Sequence, residues 1–236
     1  MFAVCTLTSA TGATSLLTVP LMIQFGIEPR AAIATNMALL VAMNFGSSVG
    51  FHGEDPGSTR RMARLVVITL AGSAGGAFLM LLVSASVLRL VVPAAMLAVL
   101  LFLVVSPRHT GATPPRWRLG AGYLAALVLA VYGGFFSGGY VTMLVAAFTF
   151  FFGYSFLRSI ALARILNLAS SLIAALVFAL YGAINWPLAG VLGGTAFAGA
   201  FLGAKFARKL PELWLRRIFT TALALLAIKS LVFDLR

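Results

Sequence analysis

The sequence predicts an all-α polytopic membrane protein built from two inverted-topology helical repeats with broken or re-entrant helices. Three observations predict it. Of 236 residues, 61% are hydrophobic and 9% charged, with a mean hydropathy of +1.06, where a soluble domain carries about 25% charged residues. Long apolar runs alternate with short polar stretches, none large enough for a soluble domain. Two apolar runs are interrupted alike: Ser9-Ala10-Thr11-Gly12-Ala13-Thr14 and Ser137-Gly138-Gly139-Tyr140-Val141-Thr142, the second 128 positions after the first (137 against 9, 142 against 14).

The shift of 128 continues beyond the breaks. It pairs Arg30 with Arg158, Gly75 with Gly203, Phe78 with Phe206, Arg89 with Arg217, Ala94 with Ala222 and Leu97 with Leu225. Chance matching in a Leu/Ala/Gly-rich alphabet would not order breaks, loops and spans alike. The expected organisation is a first membrane repeat over 1–105, a cytoplasmic linker over 106–118 and a second repeat over 119–236. Nothing before Met1 matches 119–129, so the first repeat is expected to have a truncated N-terminal arm, either because Met1 is internal to a longer reading frame or because an element has been lost.

In order, residues 2–24 are apolar, interrupted at Ser9 to Gly12 and closed by Pro20. There is no basic segment ahead of this run, so a cleaved signal peptide is not expected. A short loop around Gly26 and Pro29 leads to a span over 31–51, polar for a membrane helix because of Thr35, Asn36, Asn44, Ser47 and Ser48. The loop 52–61 ends in Arg60 and Arg61. A span over 62–83 carries Gly72, Gly75 and Gly76, and another covers 90–105. The linker is the most polar stretch. An apolar run over 119–136 reaches the second break, and a short helix over 141–152 follows it. The span 158–181 includes Arg164, Asn167, Ser170 and Ser171. Trp186-Pro187 suits an interface anchor and a helix start, opening a glycine-rich span to 206; the last span runs over 218–233. Glycines three and four apart let helices approach closely, which is the expected role of those in 71–76 and 199–204.

The net charge of +12 would suggest nucleic acid on a soluble protein. In a membrane chain it fits the positive-inside bias and anionic lipid head groups, so no nucleic-acid partner is expected. Three loops are basic: Arg60, Arg61 and Arg64; Arg108, Arg116 and Arg118; and Lys205, Arg208, Lys209, Arg216 and Arg217. If all three face the cytoplasm, the piece 119–152 must begin and end on that side. It is then either two crossings or a re-entrant hairpin folded at Ser137-Gly138-Gly139. The loop 25–30 would face outward and its partner 153–158 inward, which makes the repeats inverted in the manner of many transporters.

The acidic residues Glu28, Glu54, Asp55, Glu212 and Asp234, and the histidines His52 and His109, fall in loops or near a chain end. Cys5 is alone, so no intrachain disulfide is expected. There is no mid-membrane carboxylate for a proton relay, and no metal cluster, catalytic triad or cofactor motif. Neither an enzyme nor a cofactor or metal is expected. What remains inside the apolar runs is neutral polar or cationic. Broken helices present free N–H groups that attract anions. Thr11, Ser15, Ser137 and Thr142 add hydroxyls, and Asn36, Asn44 and Asn167 could line the same cavity. Arg164 either snorkels to the interface or contacts an anion in that cavity. The breaks themselves could instead serve helix packing.

At these residues the chain resembles the sulfite exporter TauE/SafE family of membrane permeases. Two features carry the likeness. One is the paired break and span, from Ser9 to Ala34-Thr35-Asn36 and from Ser137 to Ala161 through Asn167. The other is the run Gly199-Ala-Phe-Leu-Gly-Ala-Lys-Phe-Ala-Arg-Lys-Leu. The resemblance implies a secondary transporter, exporting or importing a small anion such as sulfite, a sulfonate or a related organic anion, in the bacterial inner membrane. The candidate substrate-binding set is Ser9, Thr11, Gly12, Ser15, Thr35, Asn36, Ser137, Gly138, Gly139, Thr142, Arg164 and Asn167. The expected partners are that anion and the lipid bilayer, with a homo-oligomer left open. The competing reading is a non-transporting membrane subunit or assembly factor.

Overall fold

A computed structural model of the chain describes residues 14–50, 59–88 and 116–207. Among these the regular structure is helical, without strands. The helices are α1 (Thr14–Gln24), α2 (Pro29–Gly50), α3 (Thr59–Leu82), α4 (Arg116–Phe135), α5 (Tyr140–Phe151), α6 (Phe156–Leu180) and α7 (Trp186–Ala207). Ser9, Thr11, Gly12, most of the linker and the expected spans 90–105 and 218–233 lie outside the described residues, as do Cys5, His52 and His109.

Among the described residues, four helices contain stretches apolar and long enough to cross a bilayer: Arg60–Leu82, Trp117–Phe135, Phe156–Leu180 and Trp186–Gly203. The protein is a multi-pass membrane protein. Their outer faces expose Val67, Leu124, Val128, Leu172, Leu176 and Val191, the apolar surface that lipid requires. The polar helix α2 sits inside, packed on α1, α6 and α7, because Asn36, Asn44 and Ser47 would be costly against hydrocarbon. Its most extensive contact is with α7, and α6, which also packs on it, is the other largely buried helix.

Glycines set two close crossings. A Cβ on Gly76 would lie 1.9 Å from the carbonyl oxygen of Val131, and one on Gly134 2.0 Å from that of Ser73. Here α3 and α4 touch backbone to backbone, as small-residue membrane interfaces allow. Gly46 of α2 meets the Phe197 carbonyl of α7 in the same way. The expectation of a packing role does not extend to every glycine. Gly75, Gly190 and Gly194 face open space, since only one face of each helix meets a neighbour.

The helix starts follow their caps. Ser155 Oγ accepts the Arg158 amide at the start of α6, and Asn185 Oδ1 accepts the Leu188 amide at the start of α7, the usual N-cap arrangement. α4 begins at Arg116 rather than at residue 119. Within this added turn the Arg118 guanidinium stacks over Phe150 at 4.9 Å.

Contacts at the two ends of α3 fix how the helices run. At its start, Arg61 donates to the Tyr154 hydroxyl (3.1 Å), which precedes α6. Just past its end, the Val83 carbonyl accepts from Arg30 at the start of α2 (2.8 Å). A helix of 24 residues spans about 36 Å, so α2 and α6 begin at opposite ends of the molecule. α4 starts at the Arg61 end, where Gly122 lies against Phe152. After the break, α5 returns to that same end. With 12 residues it is about 18 Å long, too short for a hydrocarbon core of about 30 Å. α4 by contrast is long enough to cross such a core, so over 119–152 a full-length helix is followed by a short one that folds back toward its start.

Candidate substrate site at the break

Ser137, Gly138 and Gly139 form a turn that an unbroken helix cannot make. Ser137 has φ 63° and Gly139 φ 72°, both in the left-handed region that only glycine enters without cost. The turn is held from two sides. The Tyr132 hydroxyl, one and a half turns earlier on α4, donates to the Gly138 carbonyl. The Ser137 hydroxyl reaches Oδ1 of Asn167 at 3.3 Å. Asn167 is the twelfth of the 25 residues of α6, so the break sits at mid-depth. Within the described residues the N–H groups of Gly138 and Gly139 donate to no acceptor, and α5 starts directly behind them.

Asn167 continues the cluster. Its Nδ2 donates to Oδ1 of Asn44 on α2 (3.1 Å), and Nη1 of Arg164 approaches the same oxygen at 3.4 Å. Asn44 Nδ2 in turn points to Ser171 Oγ, also 3.4 Å away. Arg164, Asn167 and Ser171 lie at i, i+3 and i+7 and share one face of α6. Arg164 is 1% exposed, and among the described residues it is the largest side chain so completely buried. Of the two readings open for it, snorkelling to the interface does not hold: the guanidinium turns inward to Asn44. The one acidic residue among those described, Glu28, is exposed in the turn between α1 and α2.

A second polar cluster joins α1 to α2. Asn36 Nδ2 donates to Ser15 Oγ (3.0 Å), and the Thr18 hydroxyl donates to Asn36 Oδ1. Thr14, Ser15, Thr18 and Asn36 are buried. The two clusters meet through Leu16: a Cβ on Gly138 would lie 2.7 Å from Leu16 Cδ2 and 2.4 Å from the Phe136 ring. The start of α1 thus abuts the break of the other half.

The structure brings Ser137, Gly138, Gly139, Arg164 and Asn167 to one place, with Thr142 buried in the first turn of α5. It places Ser15 and Asn36 together beside them. Thr35 stands apart. Its hydroxyl accepts the Asn185 amide at 3.0 Å and so ties α2 to the start of α7. Ser9, Thr11 and Gly12 lie outside the described residues. Asn44 is the hub that links the halves, and Ser171 and Thr18 complete the clusters. Their signal is in the sequence as polar residues on one helical face of an apolar segment. Ser73 plays a comparable part elsewhere: its hydroxyl donates to the Ala130 carbonyl (2.9 Å) and lies 2.7 Å from Ser170 Oγ, joining α3, α4 and α6.

Chemically, the site offers hydroxyl, amide and guanidinium N–H and O–H donors in a buried setting, where each is worth more than in water. No group of three or more potential metal ligands occurs among the described residues.

Comparison with known proteins gives a consistent picture. A family model described as sulfite exporter TauE/SafE matches residues 1–230. The Escherichia coli K12 protein named "Probable membrane transporter protein YfcA" is 26% identical over 204 residues, covering 86% of this chain and 74% of that protein. A "Probable membrane transporter protein" of Haemophilus influenzae is 26% identical over 197 residues, covering 82% and 77%. The "Probable membrane transporter protein ORF9" of a Sinorhizobium species is 24% identical over 205 residues, covering 84% and 77%. No solved structure gives a significant match.

Proposed function

The chain belongs to the sulfite exporter TauE/SafE family, a family of membrane transporters, and on that premise we propose that it is a secondary transporter of a small anion, sulfite, a sulfonate or a related organic anion. The observation that carries the reading is the buried donor cluster of Arg164, Asn44, Asn167 and Ser137 at a mid-depth helix break. A guanidinium matches the planar edge and charge of an oxyanion. Backbone N–H groups at the start of α5 add a fixed positive field.

The two halves are proposed to be inverted repeats. α1 ends at Gln24 and α5 at Phe151, while α2 begins at Pro29 and α6 at Phe156, so each landmark recurs after 127 positions. That α2 and α6 start at opposite ends of α3 supports the inversion. Substrate would bind between the break and the start of α1, reached alternately from either side as one hairpin rocks against the other. Arg60, Arg61, Arg64, Arg118 and Arg158 gather at one end of the helices, which supports placing that end at the cytoplasmic face of a bacterial inner membrane.

The test is flux in proteoliposomes. Purified protein is expected to move radiolabelled sulfite, or one member of a panel of sulfonates and carboxylates, and Arg164→Gln is expected to stop that flux. Transport of a cation or neutral solute with no anion moved, or anion flux unchanged in Arg164→Gln, would overturn the reading.

A further inference from the structure

At the arginine-rich end, α3 and α4 leave a groove of 450 Å³ open to the outside, lined by Ala63, Arg64, Val67, Ile68 and Tyr123. It lies beside the Phe152 turn, against which Tyr123 packs edge-on at 5.5 Å, and not at the break. Its wall is almost wholly apolar, with the Arg64 stem forming part of it. Val67 and, further along α4, Leu124 and Val128 are well exposed next to it, so the groove opens onto the lipid-facing surface. At its mouth the charge is one-sided. Arg61 is committed to the Tyr154 hydroxyl. Arg60 and Arg64 are exposed and stand at i, i+4 on one face of α3, where like charges repel.

We propose that this groove seats one anionic phospholipid, its acyl chain along Ala63, Val67 and Ile68 and its phosphate between Arg60 and Arg64. Charge complementarity selects the occupant: a phosphodiester relieves the guanidinium repulsion, and a zwitterionic head group carries its own cation and relieves less of it. The lipid would brace the α3–α4 pair at the end where the α4–α5 hairpin is anchored. This site is independent of the proposed transport site.

Native mass spectrometry of the full chain, with phosphatidylglycerol and phosphatidylcholine of matched acyl chains, tests it. One phosphatidylglycerol is expected to stay bound with roughly tenfold preference. That preference is expected to vanish in the double variant Arg60→Gln with Arg64→Gln. Ala63→Trp, which fills the groove and leaves both arginines, is expected to lower retention of both lipids. Equal binding of the two lipids by the unaltered chain, or a preference that survives removal of the arginines, would overturn the proposal. Displacement of the lipid by millimolar inorganic phosphate would also overturn it, because the site would then recognise a free anion.

Discussion

The hydroxyl of Ser137 lies 3.3 Å from Oδ1 of Asn167, thirty positions further along the chain and at the middle of α6. This contact fixes the depth of the helix break. It also sets the break against a face of α6 that carries Arg164 and, through Asn167, reaches Asn44 on α2. A turn that would be expensive in lipid is thereby satisfied by protein on one side, while on the other the N–H groups of Gly138 and Gly139 meet no acceptor among the described residues.

Gly139→Leu is expected to abolish transport while the protein still inserts. The backbone at φ 72° costs a non-glycine residue roughly 1–2 kcal/mol. Gly138→Ala is expected to reduce transport as well, because its methyl group would press on Phe136 and Leu16. Membrane-fraction abundance and vesicle flux, measured on the same preparations, check both. Normal flux in Gly139→Leu would remove the break from the mechanism.

Asn44→Leu is expected to lower flux about 10- to 100-fold, the loss that goes with leaving buried polar partners unsatisfied by roughly 1–3 kcal/mol. Asn44 serves Arg164, Asn167 and Ser171 at once. Asn44→Asp places a carboxylate against the guanidinium and is expected to block anion flux more completely. The comparison of initial rates at saturating and limiting substrate separates the two, and equal activity in Asn44→Asp would argue against anion binding at Arg164.

Gly76→Ala and Gly75→Ala should differ sharply although they are neighbours. A methyl at Gly76 collides with the Val131 carbonyl, whereas one at Gly75 meets nothing within 4 Å. The first is expected to cost about 1–3 kcal/mol through overpacking, read as a lower thermal midpoint in detergent. The second is expected to be neutral or slightly stabilising, since alanine is the better helix former.

Single cysteines at Gly26 and Gly153, in a chain whose own Cys5 is replaced, are expected to label from opposite sides of the membrane. The two turns lie at opposite ends of α3, as the Arg30 to Val83 and Arg61 to Tyr154 bonds show. Labelling of both from one side would refute the inverted arrangement.

The membrane class, the polar character of α2 and the helix break at Ser137 were all legible in the sequence. Each is a local property: apolar run length, polar residues within such a run, a Ser-Gly-Gly interruption. Parity of the basic loops even restricted the 119–152 piece to two crossings or a hairpin. The shortness of α5 and the return of Phe152 to Gly122 came only from the structure, because charge counting fixes only where a segment starts and ends. The tertiary structure alone decided that Arg164 turns inward, that Asn44 is the hub and that Thr35 belongs to a helix-capping contact instead. A polar residue in an apolar helix can satisfy itself against any of several neighbours, and periodicity tells which face it occupies without telling which helix that face meets.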